Sequence, residues 1–437
     1  MLAGIVPLKR PSPNQVVVLA ILMTPFLVTA MVRYPWLAAA AVLAPCGLAL
    51  VRRPWRGGLL IAPLAVIGGM AGLPWWCAPL LALVTAAMCL GFPAQVRFGS
   101  EHVIVALLVL LLVVSWVFPA GQGAPGHLAL HDMTQVTAGL MISAVCAAAP
   151  SSAERLLTVV ALSGMVVAVA ALLIGDAHDG TRLQGFGLNP NYLGSLLVLP
   201  MVVSFAMAWL RRALLWAVPG AVALVTVAAT DSRGAVFAVV AGLAAIVLLR
   251  GSRSARLLLA SAIAVVAVLA ATVPGGLNVS SGIRGAAELE RNNDVRAQSA
   301  VLAARMAAEY PLRGMGYGTF PEQAARSPQL GIFINTHNDY LRLAAESGVV
   351  SALLLVLLVC RAVRRAAGAY EHILAGGIVA YAVVLLFGNT LSNLMASTQF
   401  WVCLGALLGA RRRETVRDGS PDITAHGARH MAGDSDG

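Results

Sequence analysis

Charge is scarce in this sequence. Only 11% of its 437 residues are charged and 59% are hydrophobic, whereas an ordinary soluble domain is about a quarter charged. That scarcity excludes a soluble globular chain. The apolar bulk excludes intrinsic disorder and a collagen-like repeat. Lysine is nearly absent: Lys9 stands alone among 30 basic residues, the rest being arginine. Clustered on one face, a net charge of +11 would point to nucleic acid. Here the arginines stand singly or in runs of two or three between apolar runs, so the expected partner is a lipid bilayer and not nucleic acid. Abundant Arg and Ala with so little Lys also fits a GC-rich genome, so the arginine count alone is not functional evidence. Cysteine is sparse too. Cys46, Cys77, Cys89, Cys146, Cys360 and Cys403 fall inside or at the edge of apolar runs without a Cys-x-x-Cys, the pattern of buried structural thiols. A cleavable leader is not expected, because the first apolar run leads straight into further spanning segments.

A membrane-spanning helix needs about 20 apolar residues. The sequence predicts an all-α polytopic membrane protein of 12–14 spans. They fall near 16–32, 35–51, 58–73, 75–92, 103–118, 134–149, 156–174, 191–210, 213–230, 234–250, 256–273, 348–360, 372–388 and 391–409. The expected organisation is membrane helices over 1–273, an outer segment with helices of its own over 274–347, membrane helices over 348–410 and a disordered cytoplasmic tail over 411–437. Lys and Arg in short loops set orientation. With both ends inside, 20 basic residues face inward and only Arg33, Arg182 and Arg233 lie in short outer loops. The other seven lie in the long outer segment, where the rule does not apply. None of the apolar cores carries Asp, Glu, Lys, Arg or His. An ion-coupled transporter usually keeps such groups at mid-membrane, so any chemistry belongs at the outer face.

Three outer helix entrances carry unusual sequence. In Gly187-Leu188-Asn189-Pro190-Asn191-Tyr192, Asn189 suits an N-cap and Pro190 a first helical position. This reads either as a well-made helix start or as a polar rim presenting backbone N–H groups to an anion. In Thr230-Asp231-Ser232-Arg233-Gly234, Asp231 or Ser232 can cap. Arg233 then sits at the positive end of a helix dipole, on the side where basic residues are disfavoured. A cation placed against two preferences points to a bound anion such as phosphate; the plainer reading is a snorkelling arginine or an ion pair with Asp231. The third entrance contains Asn335-Thr336-His337-Asn338-Asp339, where Thr336 and Asp339 fit a loose capping box and would start a helix at His337. A histidine in a first helical turn is held neutral and able to accept a proton. A helical stretch opens at Asp294-Val295-Arg296 and runs to Tyr310. Gly314, Gly316 and Gly318 follow, a lone Gly-x-Gly-x-Gly without the strand–turn–helix context of a dinucleotide site.

Ser-Arg-Gly at an outer helix start, an Arg-led amphipathic helix ending in Pro-Leu-x-Gly-x-Gly-x-Gly, and His-Asn-x-x-Leu followed by Glu-x-Gly occur in that order between about 185 and 405. The set resembles the O-antigen ligase and O-antigen polymerase family of bacterial envelope glycosyltransferases. The resemblance implies inverting transfer of an undecaprenyl-pyrophosphate-linked glycan outside the inner membrane, either to lipid A-core (ligase) or to another lipid-linked repeat unit (polymerase). Related members glycosylate protein. The family's essential arginines correspond to Arg233 and Arg296, and its essential histidine to His337. Ser232, Asn189, Asn191 and Asn338 are supporting candidates, and Arg182 and Arg313 are candidates without a counterpart in the family pattern. A sugar hydroxyl is a poor nucleophile, so a positioned base assists. Arginines at helix N-termini can stabilise a departing pyrophosphate in place of a metal. The expectation is therefore metal-independent transfer without a cofactor, His337 acting as base and Arg233 and Arg296 holding the pyrophosphate. Asp176-Ala177-His178-Asp179 is the nearest metal-like cluster. A small-anion transporter is the reading from another class.

Overall fold

The structure is a computed structural model that describes residues 14–15, 17–24, 98–120, 128–148, 152–178, 182–251 and 286–410. In chain order its helices are α1 (Ser100–Val117), α2 (Ala129–Ala148), α3 (Ala153–Ile174), α4 (Pro190–Arg211), α5 (Ala217–Thr230) and α6 (Arg233–Arg250). There follow α7 (Ala286–Glu309), α8 (Phe320–Arg326), α9 (Asp339–Ser347), α10 (Val349–Arg365), α11 (Ala369–Val384) and α12 (Leu394–Leu408). The chain is a polytopic helical membrane protein. Among the described residues, α1, α3, α4 and α6 are long and apolar enough to cross a membrane, and Leu214–Thr230, α11 and α12 are shorter apolar helices. Every expected span from 103–118 to 234–250, and from 348–360 onward, coincides with a helix. The expected spans 35–51, 58–73, 75–92 and 256–273, most of 16–32, and the tail after 410 lie outside the described residues.

Among the described residues the strands are confined to one two-stranded antiparallel hairpin, β1 (Asp176–His178) and β2 (Arg182–Gln184). It takes in the metal-like Asp176 and His178, which pair with Gln184 and Arg182 along the strands. Asp176 and His178 are two residues apart on one strand and so share a face; Asp179, the third member of the cluster, lies outside the described residues. Of the thiols, Cys146 and Cys403 are buried but Cys360 is exposed. Cys360 shares a helical face of α10 with the exposed Leu353, Val356 and Leu357, the side an apolar environment covers.

Small residues bring the helices that carry the site close together. Where α6 crosses α11, Gly242 lies 2.8 Å, measured from the place of a Cβ, from the Gly376 carbonyl oxygen, and Gly376 lies 2.8 Å from that of Gly242. Glycine pairs of this kind let helix backbones approach within an apolar medium. The two helices are antiparallel, so the start of α6 and the end of α11 meet at the same end of the bundle. α4, buried along most of its length, packs on α5, α6 and α11 and begins there too.

A lobe formed by α7, α8 and α9 adjoins this end, with its own small core of Ala303, Met306, Met315, Phe320, Ala324 and Ala345. The Gly-x-Gly-x-Gly turn is structural: φ is +70° at Gly314, +136° at Gly316 and +79° at Gly318, conformations that L side chains rarely adopt. The turn lies along the end of α9, with Met315 N–H donating to the Ala345 carbonyl at 2.8 Å and Gly316 N–H to that of Glu346 at 3.1 Å. Gly348, with φ +88°, divides α9 from α10 as the sequence leads one to expect.

Candidate functional site

Three helix ends and a turn enclose one open pocket at this end of the bundle. Its empty volume is about 860 Å³ including the mouth. The start of α4 contributes Asn189, Asn191, Tyr192 and Ser195; the α5–α6 turn contributes Asp231, Ser232, Arg233 and Gly234. α7 contributes Asn292, Asn293 and Arg296, the segment before α9 contributes His337, and the end of α11 with the turn after it contributes Val384, Phe387, Gly388, Asn389 and Thr390.

Local chemistry explains each placement. Asn189 caps α4, its side chain accepting from Tyr192 N–H at 3.0 Å, with Pro190 as first helical residue. α5 ends where Asp231 takes up the left-handed conformation at φ +49°, which Asp tolerates better than most residues. Ser232 is the N-cap residue of α6 but makes no side-chain cap bond, and Arg233 is the first helical residue. The N-termini of α4 and α6 both open onto the pocket, and helix N-termini attract anions. On α7, Asn292 and Asn293 stand one turn before Arg296, so all three share a face. Ser299 and Met306 are buried on the stripe beside it.

His337 departs from expectation in position. The N-cap of α9 is Asn338, whose side chain accepts from Leu341 N–H at 3.0 Å, and the helix begins at Asp339. The Thr336 hydroxyl donates to the Asn338 carbonyl at 2.8 Å instead of capping at Asp339. Asn outcompetes Thr as a cap, so the helix starts two residues late and His337 lies before it. Its pKa is nevertheless pushed down to about 4, by burial first and then by the Arg296 guanidinium. The imidazole is neutral at physiological pH, for reasons other than a helix dipole.

The pocket gathers Arg233, Arg296, His337, Ser232, Asn189 and Asn191 from four separate stretches of chain. Three candidates fall elsewhere. Arg182 is buried behind the pocket, where Nε donates to the Thr230 carbonyl and Nη2 to Asn191 Oδ1, each at 3.0 Å. It braces the end of α5 against the start of α4. Asn338 is consumed as a cap. Arg313 is exposed in the glycine turn and lines no part of the pocket, because the turn directs its backbone, not this side chain, toward α9.

The α11–α12 turn was read as the ends of two spans, 372–388 and 391–409. In the structure α11 stops at Val384 and α12 starts only at Leu394, capped by Asn393, whose side chain accepts from Ala396 N–H at 3.0 Å. The polar run Gly388-Asn389-Thr390 with Ser392-Asn393 is the sequence signal for this turn. It is held by α9: Asp339 Oδ2 accepts from Thr390 N–H at 2.8 Å and Leu391 N–H at 3.2 Å, and Asp339 N–H donates to the Leu385 carbonyl at 2.8 Å. Burial pushes Asp339 up to about 7, against the opposing pull of Arg342. Beside it Arg342 donates to Asp132 at 2.7 Å, to Glu346 at 3.0 Å and to Ser392 at 3.0 Å, tying α9 to α2 and to the same turn.

Among known protein families, a model described as O-antigen ligase matches residues 218–356. No curated protein matches the chain. The matched stretch contains Arg233, Arg296 and His337, while the Asn189–Ser195 and Val384–Thr390 walls of the pocket lie outside it.

Proposed function

We propose that the chain, whose residues 218–356 match a family model described as O-antigen ligase, is a metal-independent inverting glycosyltransferase. In this reading it moves an undecaprenyl-pyrophosphate-linked glycan to lipid A-core at the periplasmic face of the inner membrane, with both chain ends cytoplasmic. The observation that carries the proposal is the convergence of Arg233, Arg296 and His337, from three elements remote in sequence, on one pocket at two helix N-termini.

The pyrophosphate lies against Arg233 and Arg296, which offset the charge that develops as it departs. An acceptor hydroxyl attacks the anomeric carbon from the face opposite the pyrophosphate. A new C–O bond forms, the bond from the anomeric carbon to the phosphate oxygen breaks, and the lipid pyrophosphate leaves with the electron pair. His337, neutral in the pocket, takes the hydroxyl proton. Anion binding beside Arg296 offsets the cation that depresses His337, so the imidazole becomes a better base once the donor is bound.

His337→Ala is expected to abolish glycan transfer in cells while the protein still accumulates in the membrane; full activity of this variant would remove the mechanism. Chelation of divalent ions is expected to leave transfer by the purified enzyme intact. Deleting a ligase strands long lipid-linked chains off the core. Single repeat units on the core after deletion would instead make the enzyme a polymerase.

A further inference from the structure

Asn389 is 6% exposed, lines the pocket, and has a buried Oδ1 that meets no hydrogen-bond partner among the described residues. Buried polar atoms are almost always paired, and an unpaired one weakens the fold. Nor does looseness of the turn explain it. The next residue, Thr390, is fixed by N–H donation to Asp339 at 2.8 Å, and the Asn389 carbonyl itself accepts from Ser392 at 3.3 Å. The amide is thus held on a fixed turn in the pocket wall, its acceptor buried and without a partner among the described residues.

The chemistry of the missing partner follows from hydrogen-bond polarity. Arg233, Arg296 and the helix N-termini offer donors, which suit phosphate oxygens. An ionised pyrophosphate offers acceptors only, and an amide oxygen can only accept, so the two cannot satisfy each other. A group that serves Oδ1 must carry O–H or N–H, and in a lipid-linked glycan such groups belong to the sugar. We propose that Asn389 reads the sugar next to the pyrophosphate, through a hydroxyl or an acetamido N–H, dividing the pocket into a cationic wall for the pyrophosphate and an amide wall for the glycan. This deepens the glycosyltransferase reading and rests on it. Asn389 lies beyond the stretch that matches the family model, so it is placed to vary with the glycan while the chemistry stays the same.

The test compares two probes on the full chain in nanodiscs: farnesyl pyrophosphate, and farnesyl pyrophosphate bearing N-acetylglucosamine. Asn389→Leu keeps roughly the volume and removes the acceptor; Asn389→Asp keeps an acceptor. Relative to the wild type, Asn389→Leu is expected to lose about tenfold in preference for the glycosylated probe, with unchanged affinity for the bare one. Its thermal midpoint without ligand should stay level or rise, because an unpaired buried atom has gone. Asn389→Asp should keep the preference while binding both probes more weakly, through repulsion of the pyrophosphate. An unchanged preference in Asn389→Leu overturns the inference, as does failure of both variants to fold, which would make the amide structural. If bare-probe binding then still depends on Arg233, the glycosyltransferase reading survives alone. If the wild type binds neither probe, both readings fall.

Discussion

Arg342 and the pair Arg233 and Arg296 lie at the same end of the helix bundle and are surrounded in opposite ways. Arg342 is 3% exposed and closed in by carboxylates of Asp132 and Glu346, the Ser392 hydroxyl, and the Tyr317 ring 5.3 Å from its guanidinium carbon. Arg233 and Arg296 are partly exposed and line an open pocket whose only carboxylate among the described residues is Asp231. A buried charge requires counter-charge and full hydrogen bonding, and Arg342 has both within the chain. Among the described residues the pocket arginines outnumber the pocket carboxylate two to one, the balance expected of a wall that receives an anion. The difference shows that an arginine at this face is read by its counter-charges, not by its location.

The largest effect should come from the sealed cluster. Arg342→Met leaves Glu346 and Asp132 facing each other without their cation. Burial already pushes the Glu346 carboxyl up, and Arg342 is the chief influence holding it down. Breaking such a pair destabilises by about 3–5 kcal/mol. The expected result is poor accumulation and a much lower thermal midpoint in detergent, recovered in large part by adding Glu346→Gln and Asp132→Asn. A variant with a wild-type midpoint and no activity would move Arg342 into the catalytic class and end the contrast.

The open pair should behave in reverse. Arg296→Ala removes charge stabilisation aimed at the departing pyrophosphate, and a loss of this kind is on the order of 10²–10³-fold in rate. The midpoint should change little. Arg296→Lys should recover part of the rate only, because an ammonium cannot grip a phosphate with two parallel hydrogen bonds. Rates on a defined lipid pyrophosphate donor, measured beside melting curves of the same preparations, check both halves.

How much of this was legible in sequence follows the same division. Hydropathy located the spans because burial in lipid demands long apolar runs, and the helix starts at Asn189 and Arg233 were visible because caps are local. Arg233 stood out against local preferences of charge, whereas Arg296 and His337 were singled out by resemblance to a family pattern. Arg342 could be counted but not understood, since its partners Asp132 and Ser392 are 210 and 50 residues away. The Gly388–Thr390 wall was hidden for a related reason. A polar run marks it in the sequence, but its shape depends on Asp339, fifty-one residues earlier. The start of α9 was not legible because two capping candidates, Thr336 and Asn338, compete, and sequence spacing alone does not decide between them.

A smaller effect should follow from crowding at the base of the pocket. A Cβ on Gly194 would come 2.8 Å from the Ser232 Cβ and 3.2 Å from the Thr230 hydroxyl. Gly194→Ala thus presses α4 against the turn that presents Arg233. Overpacking of this kind strains a structure by about 1–3 kcal/mol. The expected signature is intermediate between the two clusters: a modest fall in midpoint together with about a tenfold fall in rate, because a small displacement of a charge-stabilising group is costly. A fall in midpoint with an unchanged rate would show that the turn position does not matter to the pocket arginines.

The finest distinction lies in pH dependence, where the two regions act on protons oppositely. In the free protein the His337 pKa is lowered from 6.5 to about 4, so the folded chain binds this proton less readily than the unfolded chain. The contribution of this group to stability is therefore complete above about pH 6.5 and is lost as the pH falls toward 4. His337→Gln should flatten that portion of the midpoint-against-pH curve. Activity sharpens the point. The profile of kcat/KM reports the free enzyme and that of kcat the complex. With donor bound, the pyrophosphate offsets Arg296 and the histidine becomes easier to protonate. The acid limb of kcat/KM should then lie near pH 4 and that of kcat at a higher pH. Coincident limbs would mean that donor binding leaves the surroundings of His337 electrostatically unchanged, and that the anion is held away from Arg296.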